Sequence, residues 1–228
     1  MLLVRHGQAS FGADDYDVLS DLGWTQSRAL GAWLASDGFA PALVLHGGMR
    51  RQRETAEALL DGGGWDAAME VDPGWDEFDH LGVVARYPDQ PEAVPTEDRR
   101  AFQRLFERAT GRWTAGEHDA DYPESFSSFV ARVDDALARA CDREGPVVVI
   151  SSGGPIAAAC TALVTAGSDG DGDRPGAVGG GVRATLWRHF NTVQVNAGVT
   201  RVLVGSTGRR LLTFNEHSHL TDETLSYR

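Results

Sequence analysis

Short apolar runs alternate with amphipathic stretches along most of this chain. Leu2–Arg5 is an apolar run that ends in Gly7 and predicts a buried strand feeding a loop. After Ser20-Asp21-Leu22-Gly23, Leu30, Trp33 and Leu34 recur at helical spacing, and Gly38 marks a stop. Ala42–Leu45 predicts a second strand, His46-Gly47-Gly48 a turn, and Met49–Leu60 a helix ended by Asp61-Gly62-Gly63-Gly64. Ala68–Val71 predicts a third strand. Phe126, Phe129, Val130, Val133 and Leu137 make the apolar stripe of a helix over Ser125–Cys141. Pro146–Ile150 is the strongest strand signal, and Ser151-Ser152-Gly153-Gly154-Pro155 turns it into a helix through Leu163. Ala184–Phe190 predicts a helix. Val199–Val204 and Arg209–Phe214 predict a closing hairpin.

Strand and helix in alternation predict an α/β fold: a three-layer α/β/α sandwich with a mostly parallel sheet and an antiparallel addition. Two stretches break the rhythm. Residues 73–122 hold four prolines and a charged helical segment, Glu97–Arg108, and read as an insertion over the active site and sheet edge within one domain spanning 1–228. Gly167–Gly181 is rich in Gly and Asp and reads as a flexible loop.

Composition fits an ordinary globular protein, with 42% hydrophobic and 24% charged residues. A chain of 228 residues can bury roughly 70% of its unfolded surface and needs no staples. The net charge of −12 argues against nucleic acid and anionic membrane as general partners. It also means that an anion site here must be built from a few locally placed arginines. Cys141 and Cys160 have neither metal-site nor disulfide spacing and read as buried small residues. No signal peptide or membrane span is visible, so a cytoplasmic location is expected.

In open α/β sheets ligands gather at the carboxyl ends of strands, and three polar clusters fall there. Arg5-His6-Gly7 follows the first strand. A histidine nitrogen can carry a phosphoryl group, an arginine fork can bind its oxygens, and a glycine admits close approach. Met49-Arg50-Arg51-Gln52-Arg53-Glu54-Thr55 places three arginines at a helix start, against the helix dipole, which suits an anion. A solvated face in which Arg53 pairs with Glu57 is the alternative. Ser151-Ser152-Gly153-Gly154 opens a helix, whose amides and dipole can cradle an anion.

Leu3-Val4-Arg5-His6-Gly7-Gln8-Ala9-Ser10, Leu19-Ser20-Asp21-Leu22-Gly23 and Arg51-x-x-x-Thr55-Ala56 resemble, in order and spacing, the histidine phosphatase (phosphoglycerate mutase-like) superfamily. The resemblance is weakest over 73–122 and 167–183. It implies a phosphohistidine on His6 and phosphate clamps at Arg5 and Arg51. It also implies a proton-donating acid, for which Glu77 in Trp75-Asp76-Glu77-Phe78-Asp79-His80 is the best match; Asp76 and Asp79 are alternatives. Trp75 and Phe78 would desolvate that acid and raise its pKa.

The sequence departs from the family at Ser152, where a second phosphate-binding histidine is expected. Ser152 and Gly153 are then the remaining phosphate donors of that turn. His46, His80, His217 and His219 are candidates to compensate, with His80 favoured for its place near the acid; His219 belongs to an Asn-x-x-x-His-Leu ending common in the family. His118 and His189 read as structural or surface residues.

The implied function is phosphatase action on a small phosphorylated substrate, without metal or organic cofactor. A mutase-type phosphotransferase is the alternative, disfavoured because Phe11–Asp17 lacks the mutases' Asn-rich loop. A slow or inactive phospho-ligand binder is a further alternative, prompted by Ser152. A serine-hydrolase reading fails because position 150 is Ile, not the Gly of G-x-S-x-G. Substrate choice is expected to come from 73–122, where Arg86, Arg99, Arg100 and Arg104 are available. A homodimer is left open.

Overall fold

The computed structural model describes residues 1–10, 17–89, 99–166 and 180–227. Six strands form one mixed sheet: β1 (Leu2–Arg5), β2 (Leu43–His46), β3 (Ala68–Val71), β4 (Val147–Ser151), β5 (Val199–Gly205) and β6 (Gly208–Glu216). Their order across the sheet is β3-β2-β4-β1-β5-β6. β1, β2, β3 and β4 run parallel, while β5 is antiparallel to β1 and β6 to β5. The α/β expectation therefore holds, closing hairpin included.

The central strands are apolar at successive positions because both faces are covered. Leu2, Val4, Val44, Val148 and Ile150 share one core with Leu30 and Leu34 of α1 (Asp21–Ser36) and Ala56 and Leu59 of α2 (Arg50–Gly63). Leu3, Leu45, Val147 and Val149 face the opposite way, into a second core. That core receives α3 (His80–Ala85), α4 (Arg99–Ala115), α5 (Phe126–Cys141), α6 (Gly153–Thr165) and α7 (Gly180–Thr192). Its centre is aromatic: Phe78 stacks on Trp113 at 4.8 Å, and Phe126, Phe129 and Trp187 close around them. Val83, Val84, Leu105, Ala109 and Trp113, all from 73–122, are part of this same core.

Several boundaries differ from expectation. α2 runs through Gly62 and Gly63 and stops at Gly64. The reason is helix packing: a Cβ on Gly62 would lie 2.1 Å from Arg28 O, and one on Gly31 would lie 2.1 Å from Leu59 O. These two glycines let α1 and α2 touch backbone to backbone, so Gly62 is a packing residue rather than a stop signal. The expected helix over Glu97–Arg108 is α4 and extends to Ala115; residues 97 and 98 lie outside the described residues. α7 begins four residues before the expected Ala184, at Gly180, and residues 167–179 of the expected loop also lie outside them. Both cysteines are free thiols, and burial pushes that of Cys160 up to about 12. Among the described residues no helix is long and apolar enough to cross a membrane.

His219 packs flat on Trp33 of α1 at 5.5 Å, and burial pulls its pKa down to about 4. In the unfolded chain a histidine takes up its proton near 6.5, so between these values the unfolded state binds more protons. This contribution to stability is complete above pH 6.5 and is lost as pH falls towards 4. We expect His219→Phe, which keeps the ring stack, to flatten that acid loss by up to about 3 kcal/mol. Denaturant midpoints measured at pH 7 and pH 4.5 would show it; equal pH slopes in both proteins would refute the assignment.

Candidate active site

The loop after β1 is held from several sides. His6 N donates to Ser151 O at 2.8 Å, which locks it beside the end of β4. Gly7 N donates to Thr55 Oγ1 at 3.0 Å, and Thr55 Oγ1 in turn donates to Arg51 O at 2.7 Å. The Thr of the Arg-x-x-x-Thr motif thus fastens α2 to the loop. Gln8 N donates to Gln26 Oε1, and Ser20, the N-cap of α1, accepts from Gly23 N and donates to Gln8 O. The Leu-Ser-Asp-Leu-Gly motif therefore serves the same loop.

His6 is almost fully buried. Its Nδ1 lies 2.7 Å from Gly7 O, which can only accept, so Nδ1 carries the proton. The lone pair then sits on Nε2, where Arg51 Nε donates to it at 3.2 Å. Burial, then the charges of Arg51 and Arg5, hold the imidazole pKa well below 6.5, against the opposing bond to Gly7. His6 is a neutral base with its free nitrogen turned to a guanidinium.

The three arginines of α2 divide as their helical positions require. Arg51 is 5% exposed and points at His6, and its Nη1 pairs with Asp17 at 2.7 Å. Arg50 pairs with Glu54 at 2.7 Å, and Arg53 faces Glu57 at 3.9 Å. Arg50 and Arg53 belong to the surface reading, and Arg51 to the site. Arg5 gives its Nη1 to Gln194 O and Tyr227 O at 2.5 and 2.9 Å, so that arm of its fork is anchored to main chain. Its charge nevertheless acts on both His6 and Glu77.

Glu77 meets the α6 N-terminus. Its Oε2 accepts from Gly154 N at 3.2 Å, and its Oε1 from Phe78 N. Burial raises its pKa above 4.5, opposed by those amides and by Arg51 and Arg5. Trp75 and Phe78, its flanking aromatics, are buried in the core. The group that meets this helix start at Gly154 is thus the protein's own Glu77 carboxyl. Pro155 is the third residue of α6, within the first turn, which tolerates proline.

The other acids are occupied elsewhere. Asp76 accepts from Gly48 N, and burial raises its pKa too. Asp79 caps α3 through Gly82 N at 2.8 Å.

A side chain at position 154 would collide with the acid: a Cβ there falls 2.1 Å from Glu77 Oε1. We expect Gly154→Ala to displace Glu77 and lower kcat about tenfold or more, since small misplacements of catalytic groups carry such penalties. Comparing kcat with the melting temperature checks this, and unchanged kcat in a folded variant would refute it.

Ser152, which caps α6 by position, is fully buried, and its Oγ accepts from Gln52 Nε2 at 2.9 Å. The group that reaches it is a glutamine on α2, which the sequence did not single out. Of the histidines considered for that role, His46 turns Nδ1 to Gly47 O and His217 turns Nδ1 to Asn215 O. His219 stacks on Trp33, and His80 stands edge-on to Phe78 and Phe106. Of the arginines expected to choose substrate, Arg86 donates to Gly82 O, and Arg104 lines an open hollow with Glu107 and Arg108. The Arg99 side chain lies outside the described residues. Among the described residues no cluster of His, Cys, Asp and Glu is arranged to hold a metal ion.

Comparison with known proteins gives a consistent fold. A phosphoserine phosphatase mutant (H9A) from Entamoeba histolytica, in complex with phosphoserine, superposes with a TM-score of 0.64 at 17% identity, over 96% of this chain and 98% of that one. A mycobacterial protein described as hydrolase 1 gives 0.62 at 24% identity, over 96% and 98%. The mycobacterial glucosyl-3-phosphoglycerate phosphatase complexed with VO3 gives 0.58 at 23% identity, over 94% and 98%. No curated protein matches in sequence. The family model for the histidine phosphatase superfamily (branch 1) matches residues 1–173, and the chain belongs to that superfamily.

Proposed function

We propose that this chain is a phosphatase that hydrolyses small phosphomonoesters through a phosphohistidine on His6. The observation that carries this reading is the arrangement at His6: Nδ1–H tied to Gly7 O, and the Nε2 lone pair facing Arg51. A nucleophile must be deprotonated and aimed, and here both conditions are met before substrate arrives. Arg51 is displaced from Nε2 by the incoming phosphoryl group and then binds its oxygens, where charge accumulates in the transition state.

In the first step His6 Nε2 forms a bond to phosphorus, the bond to the leaving oxygen breaks, and protonated Glu77 gives that oxygen its proton. In the second step water attacks phosphorus, Glu77 takes a proton from it, and the P–N bond breaks. Inorganic phosphate leaves, with Glu77 again protonated and His6 neutral. Arg5 and Gly153 are assigned to the phosphate cradle, together with Ser152. The phosphate esters and vanadate named for the similar structures agree with a phosphoryl-binding role.

The test is a turnover assay with an aryl phosphate, combined with an alkaline denaturing quench and detection of phosphohistidine. An alkali-stable, acid-labile phosphoprotein is expected. Turnover without any such species would count against the covalent route. Isomerisation of 3-phosphoglycerate in the presence of a bisphosphoglycerate primer would favour the mutase instead; most of the loop that separates the two readings, residues 11–16, lies outside the described residues.

A slow, ligand-binding member is the second reading, and Ser152 is the observation that favours it. Restoring activity with Ser152→His would need room, which Gln52 fills 2.9 Å from Ser152 Oγ. The single change is therefore expected to overpack the site.

A further inference from the structure

Gln52 follows Arg51 in the first turn of α2 and has no exposed surface. Its carboxamide joins three separate parts of the site. Oε1 accepts from Met49 N at 3.3 Å, while Nε2 donates to Trp75 O at 3.3 Å and to Ser152 Oγ at 2.9 Å. The main-chain partners decide which end is which, because an amide N–H can only donate and a carbonyl can only accept. Both Nε2 protons are then used.

This has a directional consequence for Ser152. A hydroxyl that accepts from Gln52 must send its own proton elsewhere. Among the described residues no protein group accepts it. Ser152 follows Ser151, whose carbonyl holds His6 N, so the residue stands at the end of β4 beside the His6 loop, where it caps α6. The Trp75 carbonyl is a second junction. It also accepts from Ser151 Oγ at 2.7 Å, and it lies two residues before Glu77.

We propose that Gln52 is a positioning residue of the phosphoryl site: by donating to Ser152 Oγ it directs the serine proton to the phosphoryl group on His6, and by donating to Trp75 O it steadies the segment that carries Glu77. This rests on the phosphohistidine reading above. The Gln52–Ser152 pair supplies a hydrogen bond without supplying a titrating group. The limbs of the pH–rate profile are then set by His6, Glu77 and the substrate.

A double-mutant cycle tests it with wild type, Gln52→Met, Ser152→Ala and the double variant, using an aryl phosphate for kcat and KM. Calorimetric affinity for orthophosphate and vanadate is measured on the same proteins. Each single change is expected to lower kcat/KM about a hundred- to a thousandfold, the order seen when one transition-state donor is removed. The double variant should be no worse than the worse single, because Gln52 acts through Ser152. The pH limbs should stay in place throughout. If Gln52→Met does not fold, Gln52→Leu replaces it.

Fully additive losses in the cycle would overturn the proposal, as would a Ser152→Ala protein with wild-type kcat and oxyanion affinity. Wild-type turnover that survives His6→Ala would instead overturn the phosphohistidine reading. The oxyanion affinities would still decide whether Gln52 acts through Ser152.

Discussion

Replacing His6 with alanine is expected to lower kcat on an aryl phosphate by at least about a thousandfold, as when the nucleophile of a covalent mechanism is removed. That corresponds to roughly 4 kcal/mol of barrier. The argument rests on what stays behind. Arg51 is held by Asp17, and Arg5 by Gln194 O and Tyr227 O, so the cationic groups keep their anchors in the variant. Loss of the imidazole removes the group that bonds to phosphorus but not the charges that bind it.

Affinity for orthophosphate should therefore survive, or increase, while phosphoenzyme disappears. Kinetics with calorimetry on one preparation separates the two effects. Retained turnover would mean that another group is the nucleophile. Loss of both turnover and phosphate binding would mean that His6 holds the site together rather than reacting in it.

The fold was legible because each central strand lies between two helical layers and is apolar at consecutive positions. Val147–Ile150 is the clearest case: Val148 and Ile150 enter one core, Val147 and Val149 the other. The loop around His6 was legible for a different reason. Arg51, Thr55 and Ser20 act on it through short, regular spacings that recur as motifs. Arg51 was set apart from Arg50 and Arg53 by its spacing to Thr55-Ala56, and the structure buries it beside His6 while the other two stay half-exposed.

Contacts between elements far apart in the chain were not legible. The bond from Gln52 to Ser152 spans 100 positions, and that from Gly154 to Glu77 spans 77. Neither has a local signature, because a glutamine in a helix and a glycine at a helix start are ordinary there. The structure placed a neutral amide beside a hydroxyl, a solution that charge-based reading does not find.

Glu77→Gln is the second change with a large expected effect, and its size should depend on the leaving group. An alkyl alkoxide needs a proton as it departs, so loss of the donor should lower kcat on alkyl phosphates by about a hundred- to ten-thousandfold. A nitrophenolate leaves without help, so formation of phosphoenzyme from nitrophenyl phosphate should be much less affected. Its hydrolysis still requires Glu77 as base for water. The variant should then release about one equivalent of nitrophenol in a burst, stall, and accumulate phosphohistidine.

The pH profile follows from the same groups. His6 must be neutral to attack, and burial with the arginine charges sets its pKa well below 6.5, so its acid limb lies below that value. Glu77 must be protonated to donate, and burial raises it above 4.5, so the alkaline limb begins above that value. Activity on alkyl substrates should fall on the acid side as His6 takes up a proton and on the alkaline side as Glu77 loses one. In Glu77→Gln that alkaline limb should vanish, because no carboxyl remains to be deprotonated. An unchanged alkaline limb, with equal losses on alkyl and aryl substrates, would remove Glu77 from the proton-donor role and point to Asp76, whose pKa burial also raises.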